Sequence, residues 1–179
     1  VTSVHDLILD QIYPKTETLG YYLHKYYAQF LRNRTLHNSC AYIAVSNSTK
    51  RQLSAFLEKN CNSKKNIKVI YEAPHPKFSI STSFKKAEAD LQYFMCMGDF
   101  SPRKNIPRVM EAYSELSSEI KKGYKLKIVI SSSIPKNEFG GIAKRLRIQK
   151  YINFEEAPSL TKLIELYNKA TAFIYPSLY

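Results

Sequence analysis

Apolar positions in this chain follow two alternating patterns. Short, mostly apolar runs at Ala41 to Val45, Ile67 to Ile70, Tyr93 to Met97, Leu126 to Ile130, Tyr151 to Phe154 and Ala172 to Tyr175 have the length of buried strands. Between them, apolar residues recur three and four apart, as on one face of a helix. The segment opened by Ser46 to Ser48, a capping run, carries Leu53, Phe56 and Leu57. The one after Asn105 carries Ile106, Val109, Met110, Tyr113, Leu116 and Ile120 on a single stripe. Further helices are expected from about Asn137 to Ile148 and over Leu160, Leu163, Ile164 and Tyr167. Towards the N-terminus, Val1 to Val4 reads as a strand ending at His5-Asp6, and Leu23, Tyr26, Tyr27, Phe30 and Leu31 mark a helix face expected in the core. Strand and helix in regular alternation predict an α/β fold: a parallel sheet with helices on both faces.

The alternation is interrupted once. Tyr71 to Ser83 is rich in Pro and Ser and reads as an interdomain linker, within which Glu72 and His75 are expected as hinge contacts. The expected organisation is the end of one Rossmann-like domain over 1–77, a linker over 78–90 and a second, nearly complete domain over 91–179. The first has too few strands to close its own sheet, and the second stops just past a strand. Both ends are expected to be truncations.

Composition narrows the class. With 179 residues, 44% hydrophobic and 23% charged, the chain is a folded globular protein. Its longest apolar runs fall far short of the ~20 residues that a membrane span requires, and its opening Val1-Thr2-Ser3-Val4-His5-Asp6 has no charged leader before an apolar run. Cys40, Cys61 and Cys96 are odd in number and lack the paired spacing of a zinc site, which predicts reduced thiols in the cytosol. The formal charge of +12 favours anionic partners. It is spread along the chain: the densest stretch, Lys144 to Lys150, alternates cations with apolar residues like an amphipathic helix end.

One segment concentrates the chemistry. Gly98-Asp99-Phe100-Ser101-Pro102-Arg103-Lys104-Asn105 joins a strand to a helix. A glycine there permits a sharp turn or a close backbone approach. A helix N-terminus supplies unpaired N–H groups and a partial positive charge. Two cations at that end, where cations are otherwise disfavoured, suit a phosphate-bearing ligand.

Five motifs in this order resemble the group 1, family 4 nucleotide-sugar glycosyltransferases, which have the two-domain GT-B fold. Ala44-Val45-Ser46-Asn47-Ser48-Thr49-Lys50 is similar to the family's strand-to-helix segment, and Ile67 to Ala73 to its domain crossover. Gly98 to Asn105 resembles its phosphate loop, Leu163 to Ala170 its "LxxLYxxA" helix, and Tyr175 to Leu178 its "PSL" turn. The resemblance implies sugar transfer from a nucleotide-diphosphate sugar to a polysaccharide, lipopolysaccharide or glycolipid acceptor, with retention. It assigns Gly98, Arg103, Lys104 and Asn105 to the donor diphosphate, Phe154, Glu155, Glu156 and Ala157 to the vicinity of the base, and Pro176 and Ser177 to the donor loop. His5, at the position of the family's "HD" segment, becomes a catalytic candidate. No metal and no cofactor is expected, because side chains and helix ends supply the positive charge.

The chain departs from the pattern at Asp99, where the family commonly has an arginine. The glutamate-bearing segment that binds ribose and sugar is expected directly after Tyr179, so these residues alone are expected to be inactive. The expected setting is cytoplasmic, peripheral at the inner face of a membrane, and the basic surface charge alone adds an anionic lipid surface as a further expected partner. Two other readings compete. A non-catalytic nucleotide-sugar-binding relative would follow from Asp99. A basic nucleic-acid-binding module would follow from a pI near 9.5 and fourteen tyrosines, but the aromatics fall on helix stripes, so no nucleic acid is expected.

Overall fold

A computed structural model describes residues 1–7, 19–61, 65–80, 92–99, 101–130 and 136–178. They divide into two compact units, Val1–Pro74 and His75–Tyr179. Most of the expected linker lies outside the described residues. Its first two residues belong to the second unit: the Phe78 ring stands edge-on to Tyr167 at 5.8 Å, and the Ser79 carbonyl accepts a 3.2 Å hydrogen bond from Asn168.

The first unit runs β1 (Thr2–Val4), α1 (Leu19–Asn38), β2 (Ala41–Ala44), α2 (Asn47–Cys61) and β3 (Asn66–Val69), with a parallel sheet in the order β1-β2-β3. The register pairs Val4 with Ala44, and Ala44 with Val69. Ser46 caps α2, its hydroxyl accepting the Thr49 N–H at 3.0 Å. Tyr42, Leu53 and Leu57 are buried beneath α2 with Leu36 of α1. The Lys65 amine donates to the carbonyls of Leu36, His37 and Ser39 at 3.2, 2.6 and 2.9 Å, so a cation closes the C-terminus of α1 where the helix dipole favours one.

The aromatic stripe of α1 is not in this core. Leu23, Tyr26, Tyr27 and Phe30 are 58–65% exposed and Leu31 is 43% exposed. The helix turns a different face inward, where Leu36 is buried and the Arg32 guanidinium lies 5.0 Å over the Phe56 ring. Periodicity defines an apolar stripe; it does not say which neighbour covers it.

The second unit contains β4 (Gln92–Met97), α3 (Ile106–Ser114), α4 (Ser118–Gly123), β5 (Tyr124–Ile130), α5 (Lys136–Arg145), β6 (Ile152–Glu156), α6 (Leu160–Lys169) and β7 (Ala172–Ile174). Its four strands are parallel in the order β6-β5-β4-β7. Counted from β4, that is 3-2-1-4, the order of a doubly wound sheet. Alternation along β4 buries both faces. Cys96 meets Ile106, Met110, Ile128 and Phe139 on one side, while Tyr93 and Met95 meet Val129 and Leu166 on the other. The single long helix expected after Asn105 is in fact two. Ser117 begins α4 by accepting the Ile120 N–H at 3.3 Å, which ends the stripe and leaves Ile120 40% exposed. Leu160, expected in the core, is also exposed at the first turn of α6, and Leu166 takes its place.

Candidate functional site

In a doubly wound sheet, ligands bind beyond the carboxyl ends of the strands where the winding reverses. Here the reversal lies between β4 and β7. The segments leaving those strands, Gly98 to Asn105 and Tyr175 to Leu178, are bound to each other. The Leu178 N–H donates to the Arg103 carbonyl at 3.0 Å, the Ser177 hydroxyl to the same carbonyl at 3.3 Å, and the Asn105 amide to the Pro176 carbonyl at 3.3 Å. Two stretches 71 residues apart thus form one rim.

Within the loop, the cations precede the helix rather than standing at its mouth. Pro102–Lys104 is a separate 3-10 turn, and Asn105 then takes the left-handed conformation (φ 53°) before α3 begins at Ile106. Asn105 tolerates that conformation better than most residues. Pro107, near the start of α3, has no N–H needing a partner.

Gly98 serves a purpose different from a sharp turn, since no described glycine has a positive φ. A Cβ at Gly98 would stand 3.0 Å from Lys104 Cβ, 3.2 Å from Lys104 Cγ and 3.3 Å from Ile106 Cδ1. The missing side chain makes room for the stem of Lys104 against the end of β4. The Lys104 amine then reaches to 5.6 Å from the centre of the Tyr175 ring, within the range of a cation–π contact.

Asp99 builds the loop. Its carboxylate accepts the Ser101 N–H at 3.0 Å and also the Ser101 hydroxyl. Partial burial works against its charged form, but the two bonds from Ser101 and the nearby Arg103 and Lys104 prevail and hold the carboxyl below its ordinary range. An ionised Asp99 beside the cations lowers the net positive charge of the rim without removing it.

These elements border a cleft of about 490 Å³. Gly98, Asp99 and Lys104 form its polar side, and Met97, Val129, Leu163, Tyr167 and Phe173 its apolar floor and wall. Ala157 and Pro158 close the β6 end, where the Ala157 N–H donates to the Ile130 carbonyl at 2.9 Å and Ala157 has φ 38°. Of the residues expected near the base, Ala157 lines the cleft, whereas Phe154 packs on Phe139 at 6.2 Å and Glu155 and Glu156 are not in its wall. Arg103 is half-buried beside Asp99 but does not line the cleft. Pro176 and Ser177 hold the rim through the bonds above. Tyr175 lines the cleft and meets Lys104, a role for which the sequence offered only its place beside the Pro-Ser turn.

His5 belongs to the first unit, just past the carboxyl end of β1. Its Nδ1 lies 2.7 Å from Glu72, with both side chains largely exposed, and its carbonyl accepts the Thr49 hydroxyl at 3.2 Å. Glu72 therefore partners His5 within that unit. Among the described residues, no three His, Cys, Asp or Glu side chains gather as a metal site requires.

A parallel 3-2-1-4 sheet defines a Rossmann-like unit, and the chain has α/β units that match those of the GT-B glycosyltransferase fold. It is similar to sucrose-phosphate synthase from Thermosynechococcus elongatus, with a TM-score of 0.71 at 17% identity over 99% of this chain and 44% of that one. It is also similar to a trehalose-6-phosphate synthase studied for glycosyl transfer with retention (0.63, 12% identity, 87% and 44% covered). A third likeness is to the catalytic domain of Starch Synthase IV from Arabidopsis thaliana, bound to ADP and acarbose (0.55, 13% identity, 83% and 37% covered). The chain spans less than half the length of each of these structures. No protein-family model matches the sequence, and a comparison with curated proteins gives no match.

Proposed function

We propose that the protein is a glycosyltransferase whose second unit holds the diphosphate of a nucleotide-sugar donor at the Gly98 to Asn105 loop. The observation that carries this reading is Lys104, whose stem packs against Gly98 at the end of β4 and whose amine lies over the Tyr175 ring at the reversal of the sheet. As the bond from sugar to diphosphate breaks, negative charge grows on the leaving phosphate oxygens. A cation fixed beside them stabilises that state more than the ground state. Arg103, one residue earlier in the same turn, adds a second positive charge. The apolar floor of the cleft suits the nucleoside, read at the Ala157 end through backbone groups. No metal or cofactor enters the reading, since side chains and helix ends carry the charge.

Retention at the anomeric carbon, a glycan or lipid-linked acceptor and a cytosolic setting complete the proposal. Support comes from the resemblance of the five sequence motifs, and from structural neighbours that include an ADP complex and an enzyme studied for retaining transfer. His5 is proposed as a catalytic residue. The full-length protein should be incubated with a panel of labelled nucleotide sugars and lipid-extracted or glycan acceptors. The expected result is transfer from one donor with the anomeric configuration kept. Donor binding without any transfer would favour the non-catalytic relative instead, and absence of both would refute the proposal.

A further inference from the structure

We propose that Glu72 is a positioning residue: it fixes the proton of the His5 ring on Nδ1 and so presents the Nε2 lone pair to a ligand hydroxyl. The inference rests on the reading of His5 as a catalytic residue. In the order β1-β2-β3 the two outer strands are not neighbours, and two strand spacings amount to about 9–10 Å. His5 leaves β1 and Glu72 follows β3, and their side chains meet beyond the carboxyl ends of the strands, with Nδ1 2.7 Å from the carboxylate. An ionised carboxylate can only accept a hydrogen bond, so a neutral ring bound to it carries its proton on Nδ1. Nε2 is then an acceptor, suited to a hydroxyl donor such as those of a sugar.

Both partners are anchored by the two sequence motifs to which the donor reading gives no task. In Ala44 to Lys50, the Thr49 hydroxyl donates to the His5 carbonyl at 3.2 Å. With that proton committed, the Ser46 hydroxyl, 3.0 Å away, donates to Thr49 while accepting the Thr49 N–H at 3.0 Å. Thr49 is buried, so this relay is well held. In Ile67 to Ala73, the Ile70 N–H donates to the Ala44 carbonyl at 3.0 Å, and the Asn47 amide donates to the Tyr71 hydroxyl at 2.8 Å. The chain on each side of the His5–Glu72 pair is thus tied to the end of β2. The pair itself is 65% and 63% exposed, and exposed pairs add little to stability. What it supplies is orientation.

The tautomer is read without donor or turnover, so this inference and the reading of His5 can fail separately. Full-length protein with isotopically labelled histidine nitrogens is followed by NMR in the neutral-ring state, the His5 signals being those missing from His5→Ala. The proton is expected on Nδ1 in wild type and in Glu72→Gln, whose side-chain carbonyl still accepts it, and mostly on Nε2 in Glu72→Ala. Removing the partner that orients a functional histidine costs about 10–100-fold in metal sites. Here Glu72→Ala should lower kcat about tenfold, with donor KM and melting temperature unchanged, and Glu72→Gln should recover most of the loss. A proton on Nε2 in wild type, or one that stays on Nδ1 in Glu72→Ala, overturns the inference. So does a Glu72→Ala variant whose kcat falls only in step with its melting temperature, which is the mark of a merely structural contact. If His5→Ala turns over like wild type, the reading of His5 as a catalytic residue falls, and the role given to Glu72 in the reaction falls with it even where the tautomer is as expected.

Discussion

Replacing Gly98 with alanine tests the packing that aims Lys104. The added Cβ would stand 3.0 Å from Lys104 Cβ and 3.2 Å from its Cγ, whereas carbon atoms in contact prefer about 3.5–4.0 Å. Ile106, 3.3 Å away on the other side, is fully buried in the core and has nowhere to go. The Lys104 stem is therefore the part that yields, by about half an ångström. Overpacking of this kind costs about 1–2 kcal/mol, which lowers the melting temperature by about 2–8 °C. The larger consequence falls on the ligand: displacing the amine weakens a charge-assisted contact, and nucleoside-diphosphate affinity should drop about tenfold. Thermal melts and calorimetric titration of purified protein read both effects. Gly140→Ala is the control. Nothing lies within 4 Å of a Cβ there, so relief of a glycine inside α5 should stabilise by about 0.5–1 kcal/mol and leave binding unchanged. If Gly98→Ala melts and binds like wild type, Gly98 does not position Lys104.

Other outcomes follow from the same geometry. Tyr175→Phe keeps a ring beneath the Lys104 amine and should keep diphosphate affinity, while Tyr175→Leu should lower it about two- to fivefold; equal affinities in the two variants would remove Tyr175 from any positioning role. Because Asp99 is held below its ordinary range, its contribution to stability is complete above the unfolded carboxylate value of about 3.9 and is lost as pH falls through the lower folded value. Asp99→Asn should therefore flatten the acid limb of a melting-temperature profile, and parallel profiles for variant and wild type would contradict the assignment. Burial raises the Cys96 thiol to about 12, whereas Cys40 is exposed. A thiol reagent at neutral pH should modify Cys40 in the native protein and reach Cys96 only on unfolding. Labelling of Cys96 at the rate of Cys40 would show that the core around β4 opens.

The strands were legible because each is a short apolar run, and their winding followed from alternation with amphipathic helices. Ser46 could be read as a cap because a hydroxyl before a periodic segment has one common use. Three features could not be read along the chain. Leu116 and Ile120 continue the stripe of α3 in phase, so only the Ser117 bond to Ile120 reveals that the helix ends and restarts. The tyrosines of α1 have core spacing, yet which face turns inward is decided by Leu36 and by Arg32 lying over Phe56. Gly98 suggests a turn in any sequence, but its use here depends on a side chain six residues later folding back onto it. Gly98 to Asn105 was legible as a segment joining a strand to a helix. Its division of labour was not visible, because the bonds from Leu178, Ser177 and Asn105 that tie its rim span about seventy residues.

The central claim is that Lys104 holds a diphosphate in the cleft between the ends of β4 and β7. Calorimetric titration of the protein with ADP, UDP and GDP, beside the corresponding nucleosides, tests it most directly. The account predicts that a diphosphate binds much more tightly than its nucleoside and that Lys104→Ala erases the difference while the fold persists. Equal binding of nucleoside and diphosphate, or a Lys104→Ala variant that still prefers the diphosphate, would contradict it.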